Sequence, residues 1–205
     1  MVDQRRLAWD ERHQAGDFEG RGPNPTLAAA LAESDPSGPP GVALELACGS
    51  GTNAVWLAGR GWQTTAVDWS PVGLEKGRAK AAAAGLKVEW LERDLFAWEP
   101  PARSFDLVVI VYLHLPPDER TPVYARAAAA VAPGGRLVIV GHDRLQAFED
   151  VPGPDPDRLF TAGEIAAELI AADPQLQSER EQVVHRAAPP EHGPIDALLI
   201  LRRRP

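Results

Sequence analysis

From Val42 onward the chain alternates short apolar runs with longer windows whose apolar residues recur at helical spacing, a pattern that predicts strands and helices in turn. The runs predict strands at Val42–Leu46, Gln63–Asp68, Lys87–Leu91, Phe105–Val111, Arg136–His142, about Glu179–His185 and Ile195–Leu201. Helices are predicted at Thr52–Arg60, Pro71–Ala84, Pro117–Val131 and Thr161–Ala172. Pro71 and Pro117 suit a first helical turn, where a missing N–H costs nothing, and Gly85 suits a helix stop. The run Phe105–Val111 is apolar apart from Asp106, as expected of a strand covered on both faces. Strands alternating with helices imply an α/β, doubly wound and largely parallel sheet of seven strands. The last strand follows the sixth after a short link, so it is expected to run antiparallel beside the fifth. Residues 1–41 read differently: only Thr26–Glu33 looks helical, with Thr26 as its cap, and the breaker cluster Ser34–Gly41 reads as a linker. This divides the chain into an N-terminal cap or lid, 1–41, and a domain, 42–205.

Composition narrows the class. Twenty-one Lys and Arg against 29 Asp and Glu give a net charge of −8, which argues against a general nucleic-acid binder. The single cysteine, Cys48, forms no internal disulfide or thiolate zinc site, so no metal is expected and a reducing cytoplasm is the expected location. The N-terminus has no apolar core of a signal peptide, and no stretch approaches the roughly 18 apolar residues of a membrane span. Twenty prolines are about twice the usual ~5%, and they mostly punctuate apolar segments rather than fill polar tracts.

The chemistry concentrates where the first strand ends. Glu45-Leu46-Ala47-Cys48-Gly49-Ser50-Gly51-Thr52-Asn53 is a strand, a turn of small residues and a helix start, an arrangement that presents backbone N–H groups and a positive helix end to a ligand. Asp68 closes the second strand 19 residues after Gly49, about the spacing at which an acid meets a ribose hydroxyl pair. Two ligands share this architecture. Gly49 to Ala54 also satisfies the G-x-G-x-x-A pattern of a nicotinamide dinucleotide site, whereas Glu45 would repel a pyrophosphate and suits a ligand carrying an ammonium and a sulfonium. An NAD(P)-dependent reductase and a non-catalytic cofactor-binding protein are the competing functions. The chain after the fifth strand has no room for a separate substrate domain of the dehydrogenase kind.

Over about residues 42–202 the motifs resemble those of class I S-adenosylmethionine-dependent methyltransferases, with their Rossmann-like fold. Glu45 to Gly51 is similar to the first motif of that family, with Ala47 where glycine is commoner, and Ala66-Val67-Asp68-Trp69-Ser70 to the second, whose acid holds the ribose. Arg93-Asp94-Leu95 resembles the third, where an aspartate meets the adenine amino group. Phe105–Val109 and Ala132-Pro133-Gly134-Gly135-Arg136-Leu137 resemble the fourth strand and the turn into the fifth. The resemblance implies S-adenosyl-L-methionine as cofactor, held by Glu45, Ala47, Cys48, Gly49, Gly51, Asn53, Asp68, Trp69, Ser70, Asp94, Leu95 and Val111. A narrower likeness, in Cys48–Trp62, Phe160–Ile165 and His185-Arg186, is to the small tellurite-resistance and thiol-methyltransferase branch. Against an anionic substrate, Pro189–Gly193 stands where another arginine is expected.

Methyl transfer from a sulfonium is an in-line displacement that needs alignment and dryness; a phenol or amine acceptor also needs a base, a soft anion does not. His114, past the fourth strand, and His185, on a late strand, are the candidate catalytic residues, each competing with a structural or solvated role. Tyr112, His142 and Arg186, with Trp9 and Arg12 from the N-terminal segment, are the candidate substrate contacts, because ligands of open α/β sheets lie outside the carboxyl ends of the strands. The expected partner is a small-molecule methyl acceptor, with neither nucleic acid nor membrane, for a monomer or homodimer.

Overall fold

The structure, a computed structural model, describes residues 4–16, 22–33, 40–148, 155–186 and 195–205. The chain divides into two compact units, Met1–Glu99 and Pro100–Pro205. Seven strands make a mixed sheet, three from the first unit and four from the second.

The first unit contains α1 (Gln4–Ala15), α2 (Pro25–Glu33), β1 (Val42–Leu46), α3 (Thr52–Gly59), β2 (Gln63–Asp68), α4 (Pro71–Ala83) and β3 (Val88–Glu92). Its strands are parallel in the order β3-β2-β1, with Glu45 beside Ala66 and Asp68 beside Glu92. Ala43, Leu44, Leu46, Ala66 and Val67 are buried, so both faces of β1 and β2 are covered, as their unbroken apolar runs require. Ser70 caps α4 by accepting the N–H of Gly73, Pro71 takes the first turn as expected, and Gly85 ends the helix region at φ +66°. Two glycines are imposed by one side chain: a Cβ on Gly51 or Gly77 would lie 2.3 or 2.4 Å from the Trp90 ring.

The N-terminal segment departs from expectation twice. α1 is a full helix where none is expected, because QRRLAWDERHQA has no apolar stripe; the one residue it buries is His13. α2 begins at Pro25, and its cap is Asn24, whose Oδ1 accepts the N–H of Leu27, not Thr26. The expected linker falls largely on 34–39, outside the described residues.

The second unit contains β4 (Phe105–Val111), α5 (Pro117–Ala130), β5 (Val131–His142), α6 (Ala162–Ala172), β6 (Leu176–His185) and β7 (Ile195–Arg203), with short 3-10 turns at Arg144–Phe148 and Pro156–Arg158. The order is β4-β5-β7-β6, with β4 and β5 parallel and β7 antiparallel to both β5 and β6. The antiparallel last strand beside the fifth is as expected. β5 starts five residues earlier than the sequence suggests: Val131 pairs with Phe105 ahead of a register shift, and Gly134, at φ +79°, carries the chain through the Pro-Gly turn that disguises the strand. β6 also starts earlier, at Leu176, because β7 extends to Arg203 and pairs with it throughout; its polar outer face hides it from an apolar count. Arg203, at the end of β7, is buried, and its guanidinium donates to the Ala128 carbonyl and to Asp173.

Candidate active site

In the first unit the chain leaves β1 through three left-handed residues in alternation, Ala47 (φ +54°), Gly49 (φ +53°) and Gly51 (φ +67°), which is why small residues occupy these places. The turn is held from inside. Cys48 N–H donates to the Val67 carbonyl, Gly51 N–H to the Cys48 carbonyl, and Gly49 N–H to Asp68 Oδ2 at 2.7 Å. The other oxygen of Asp68 accepts from Ser70 N–H at 2.9 Å. Lys80 adds a clamp from α4, its ammonium reaching the Ser50 carbonyl, Ser50 Oγ and Thr52 Oγ1. The amides of Gly49 and Gly51 are therefore committed within the protein, which speaks against the pyrophosphate cradle a dinucleotide needs. Asp68 still has lone pairs for ribose hydroxyls, since an ionised carboxylate offers about four acceptor sites.

Glu45 lies fully buried on β1. Its Oε1 accepts from Asn53 Nδ2 at 2.9 Å, and Asn53 in turn accepts the N–H of Asn24. Its Oε2 has no hydrogen-bond partner among the described residues. Burial pushes this carboxyl up to about 7, against the pull of Asn53 and the Ala54 N–H, with the Asp68 charge adding to the rise. Burial also raises Asp68, offset by its backbone donors. A sealed oxygen on a carboxyl poised to ionise near neutrality fits a cationic ligand such as the ammonium of S-adenosylmethionine. Cys48 is buried, and burial with two carboxylates nearby raises its thiol well above the usual range, so it is an inert packing residue in the Cys48, Ala54, Ala66, Leu74 cluster.

Trp69 and Phe96 form a tilted ring pair 5.9 Å apart beyond β2 and β3, with the Arg5 guanidinium over both. Asp94 is exposed and accepts from Phe96 N–H, while Leu95 beside it is half-buried. α1 docks on this end of the unit through residues the sequence did not single out. Asp10 accepts from Ser70 Oγ, the His13 carbonyl accepts from Lys76, and His13 lies against Gly49 and Gly73. Burial, then Lys76, lowers His13. Trp9 and Arg12, the residues the sequence suggested, are exposed and stack on each other.

In the second unit, Tyr112, His114 and His142 come together where β4 and β5 end. Their rings stack, Tyr112 on His142 at 4.6 Å and His114 on His142 at 4.8 Å and 7°. His114 Nε2 accepts the backbone N–H of His142, and burial pushes His114 down to about 3, so it is a neutral acceptor. Arg186 joins them through Asp196, a fully buried residue of β7 that sequence reasoning missed. His185, by contrast, is exposed at the end of β6, paired across the sheet with Ile195. Val111 ends β4 beside Val140. The segment 189–193 lies outside the described residues.

The methyltransferase-domain family matches residues 43–135. A demethylmenaquinone methyltransferase of Thermus thermophilus is 35% identical over 99 residues, 47% of this chain and 45% of the relative. A ubiquinone biosynthesis O-methyltransferase of Methylobacterium is 28% identical over 152 residues, 65% and 61% of the two chains. The chain thus spans less than two thirds of the length of these relatives. Among solved structures, magnesium protoporphyrin IX methyltransferase of Synechocystis with bound S-adenosylhomocysteine superposes with a TM-score of 0.67 at 18% identity, over 99% of this chain and 89% of that one, which establishes the shared fold. Among the described residues no helix is long and apolar enough to cross a membrane. Residues 43–135 are thus similar to methyltransferase domains, and the mixed α/β sheet has the Rossmann-like fold of its solved neighbours.

Proposed function

We propose that the protein transfers a methyl group from S-adenosylmethionine to a small molecule by in-line displacement. The observation that carries this reading is Glu45 Oε2, a buried carboxylate oxygen beside the left-handed turn with no hydrogen-bond partner among the described residues. In this reading Glu45 and Asn53 orient the methionine end, Ala47, Cys48, Gly49 and Gly51 give it a close backbone wall, Asp68 and Ser70 take the ribose, and Trp69, Asp94 and Leu95 take the adenine. The resemblance assigns Val111, at the end of β4, to the cofactor as well. The acceptor is taken by the cluster Tyr112, His114, His142 and Arg186, with His185 at its rim. The N-terminal segment acts as a lid that excludes water, its α1 lying over the Trp69–Phe96 pair through Arg5. Names of the relatives support a small, largely unsaturated acceptor, quinone or porphyrin in kind. The thiol and tellurite alternative stands on the likeness in Cys48–Trp62, Phe160–Ile165 and His185-Arg186.

Calorimetry tests the cofactor: S-adenosylmethionine and S-adenosylhomocysteine are expected to bind and NAD is not, and tight NAD binding without response to the sulfonium would overturn the reading. Labelled methyl donor offered with phenols, thiols, oxyanions and RNA tests the acceptor. Label on RNA alone would refute a small-molecule enzyme, and binding without transfer to any acceptor would favour a sensor.

A further inference from the structure

We propose that His142 and Asp196 form a proton-accepting pair, which fits the protein to an acceptor that arrives carrying its proton, a phenolic or enolic hydroxyl on a flat unsaturated ring. The identity of the reaction rests on the methyltransferase reading; the pair itself rests on the second unit alone. His142 on β5 and Asp196 on β7 are cross-strand partners, and Nδ1 of His142 lies 3.5 Å from Asp196 Oδ1. Among the described residues Nδ1 of His142 is sealed from solvent and has no hydrogen-bond partner. A nitrogen so placed against a carboxylate carries the proton, which leaves the lone pair on Nε2.

The surrounding groups fix this arrangement. The Tyr112 hydroxyl donates to both Asp196 oxygens at 3.1 Å, and Arg186 Nε lies 3.1 Å from Oδ1, so the carboxylate is held from two sides. Tyr112 is held at φ +55°, a costly backbone for a bulky residue, and its N–H is tied to the Val140 carbonyl; the strain lays its ring on His142. His114 has spent Nε2 on the His142 backbone, so it positions the loop and does not take the proton. The groups facing His142 are thus Tyr112 and His114 after β4, Asp196 on β7 and Arg186 after β6, with Arg158 acting on His114.

S-adenosylmethionine, when bound, supplies a methyl carbon whose bond to sulfur breaks with the electron pair leaving on sulfur as a thioether. Nε2 takes the hydroxyl proton while an oxygen lone pair forms the new O–C bond. The imidazolium faces Asp196 and later returns its proton to water, so charge and atoms balance.

Nitrogen-15 NMR of the whole protein reads the pair without a substrate: His142 is expected as the Nδ1–H tautomer, and an Nε2–H tautomer overturns the proposal. Methyl transfer to catechol and to thiophenol then reads its use. His142→Gln is expected to lower kcat for catechol by 10²-fold or more with KM little changed, and to abolish the acidic limb of the pH profile. Thiophenol, which loses its proton readily in water, is expected to lose less than tenfold. Asp196→Asn, as the positioning change, is expected to shift the catechol pH profile. Equal losses on both acceptors, or an unmoved profile, sink the idea. Absence of S-adenosylmethionine binding with the Nδ1–H tautomer present would fell the methyltransferase reading and leave the pair standing.

Discussion

The two units each bury a carboxylate near the end of the sheet and treat it in opposite ways. Glu45 is met by the Asn53 amide and the Ala54 N–H, its Oε2 has no hydrogen-bond partner among the described residues, and burial lifts it to about 7. Asp196 is ringed by a hydroxyl, a guanidinium and an imidazole from three other segments. The first is an acid left incomplete by its own protein, which is what a site for a mobile cation requires. The second is completed by its own protein and so acts as a fixed support for other side chains. Burial alone does not distinguish a binding acid from a structural one; the count of donors aimed at it does.

The largest expected effect breaks the support. Asp196→Ala removes the carboxylate that Arg186 and His142 share and should destabilise the protein by about 3–5 kcal/mol, the cost of removing one partner of a buried pair; a denaturation midpoint within error of the parent would refute the contrast. Next comes Asp68→Ala, which removes two charge-assisted bonds to Gly49 and Ser70 and should cost about 3 kcal/mol of stability. It should also weaken S-adenosylmethionine by about 1–3 kcal/mol, read by calorimetry.

Glu45→Gln has the opposite sign. The carboxyl rises from 4.5 in the unfolded chain to about 7 in the folded one, so the folded state gains relative stability as pH falls from 7 to 4.5 and loses it as pH rises through 7. The Gln variant should therefore be more stable than the parent at pH 8 by about 2 kcal/mol and flat across that window, while binding the cofactor more weakly. Loss of stability at pH 8 would place Glu45 in the same class as Asp196. In the parent, cofactor affinity should fall below pH 7 as the carboxyl protonates. Smallest of all, Ala47→Gly relieves a left-handed alanine and should raise stability by less than about 1 kcal/mol in a thermal melt.

Much of the fold is legible because it is local. The apolar runs at 42–46, 63–68 and 105–111 become strands at those bounds, and Pro71, Pro117 and Gly85 mark real ends. The small residues at 47, 49 and 51 follow from the turn they must make. α1 is not legible, since a helix held by Asp10, His13 and one cation over aromatic rings has no apolar stripe to read. Nor is the start of β6, where Leu176 to Ser178 are strand because β7 pairs with them.

By itself the sequence determined the order of elements from β1 onward and the acidic turn with its ribose-spaced acid, because periodicity, turn chemistry and strand-end spacing act over a few residues. Only the tertiary structure decided which polar groups are left wanting and which are satisfied. Asp196 meets Tyr112 across 84 positions, and Glu45 keeps one oxygen bare because of what does not reach it. Among the described residues both are outcomes of desolvation and of which donors arrive from distant segments, and no window of sequence contains them.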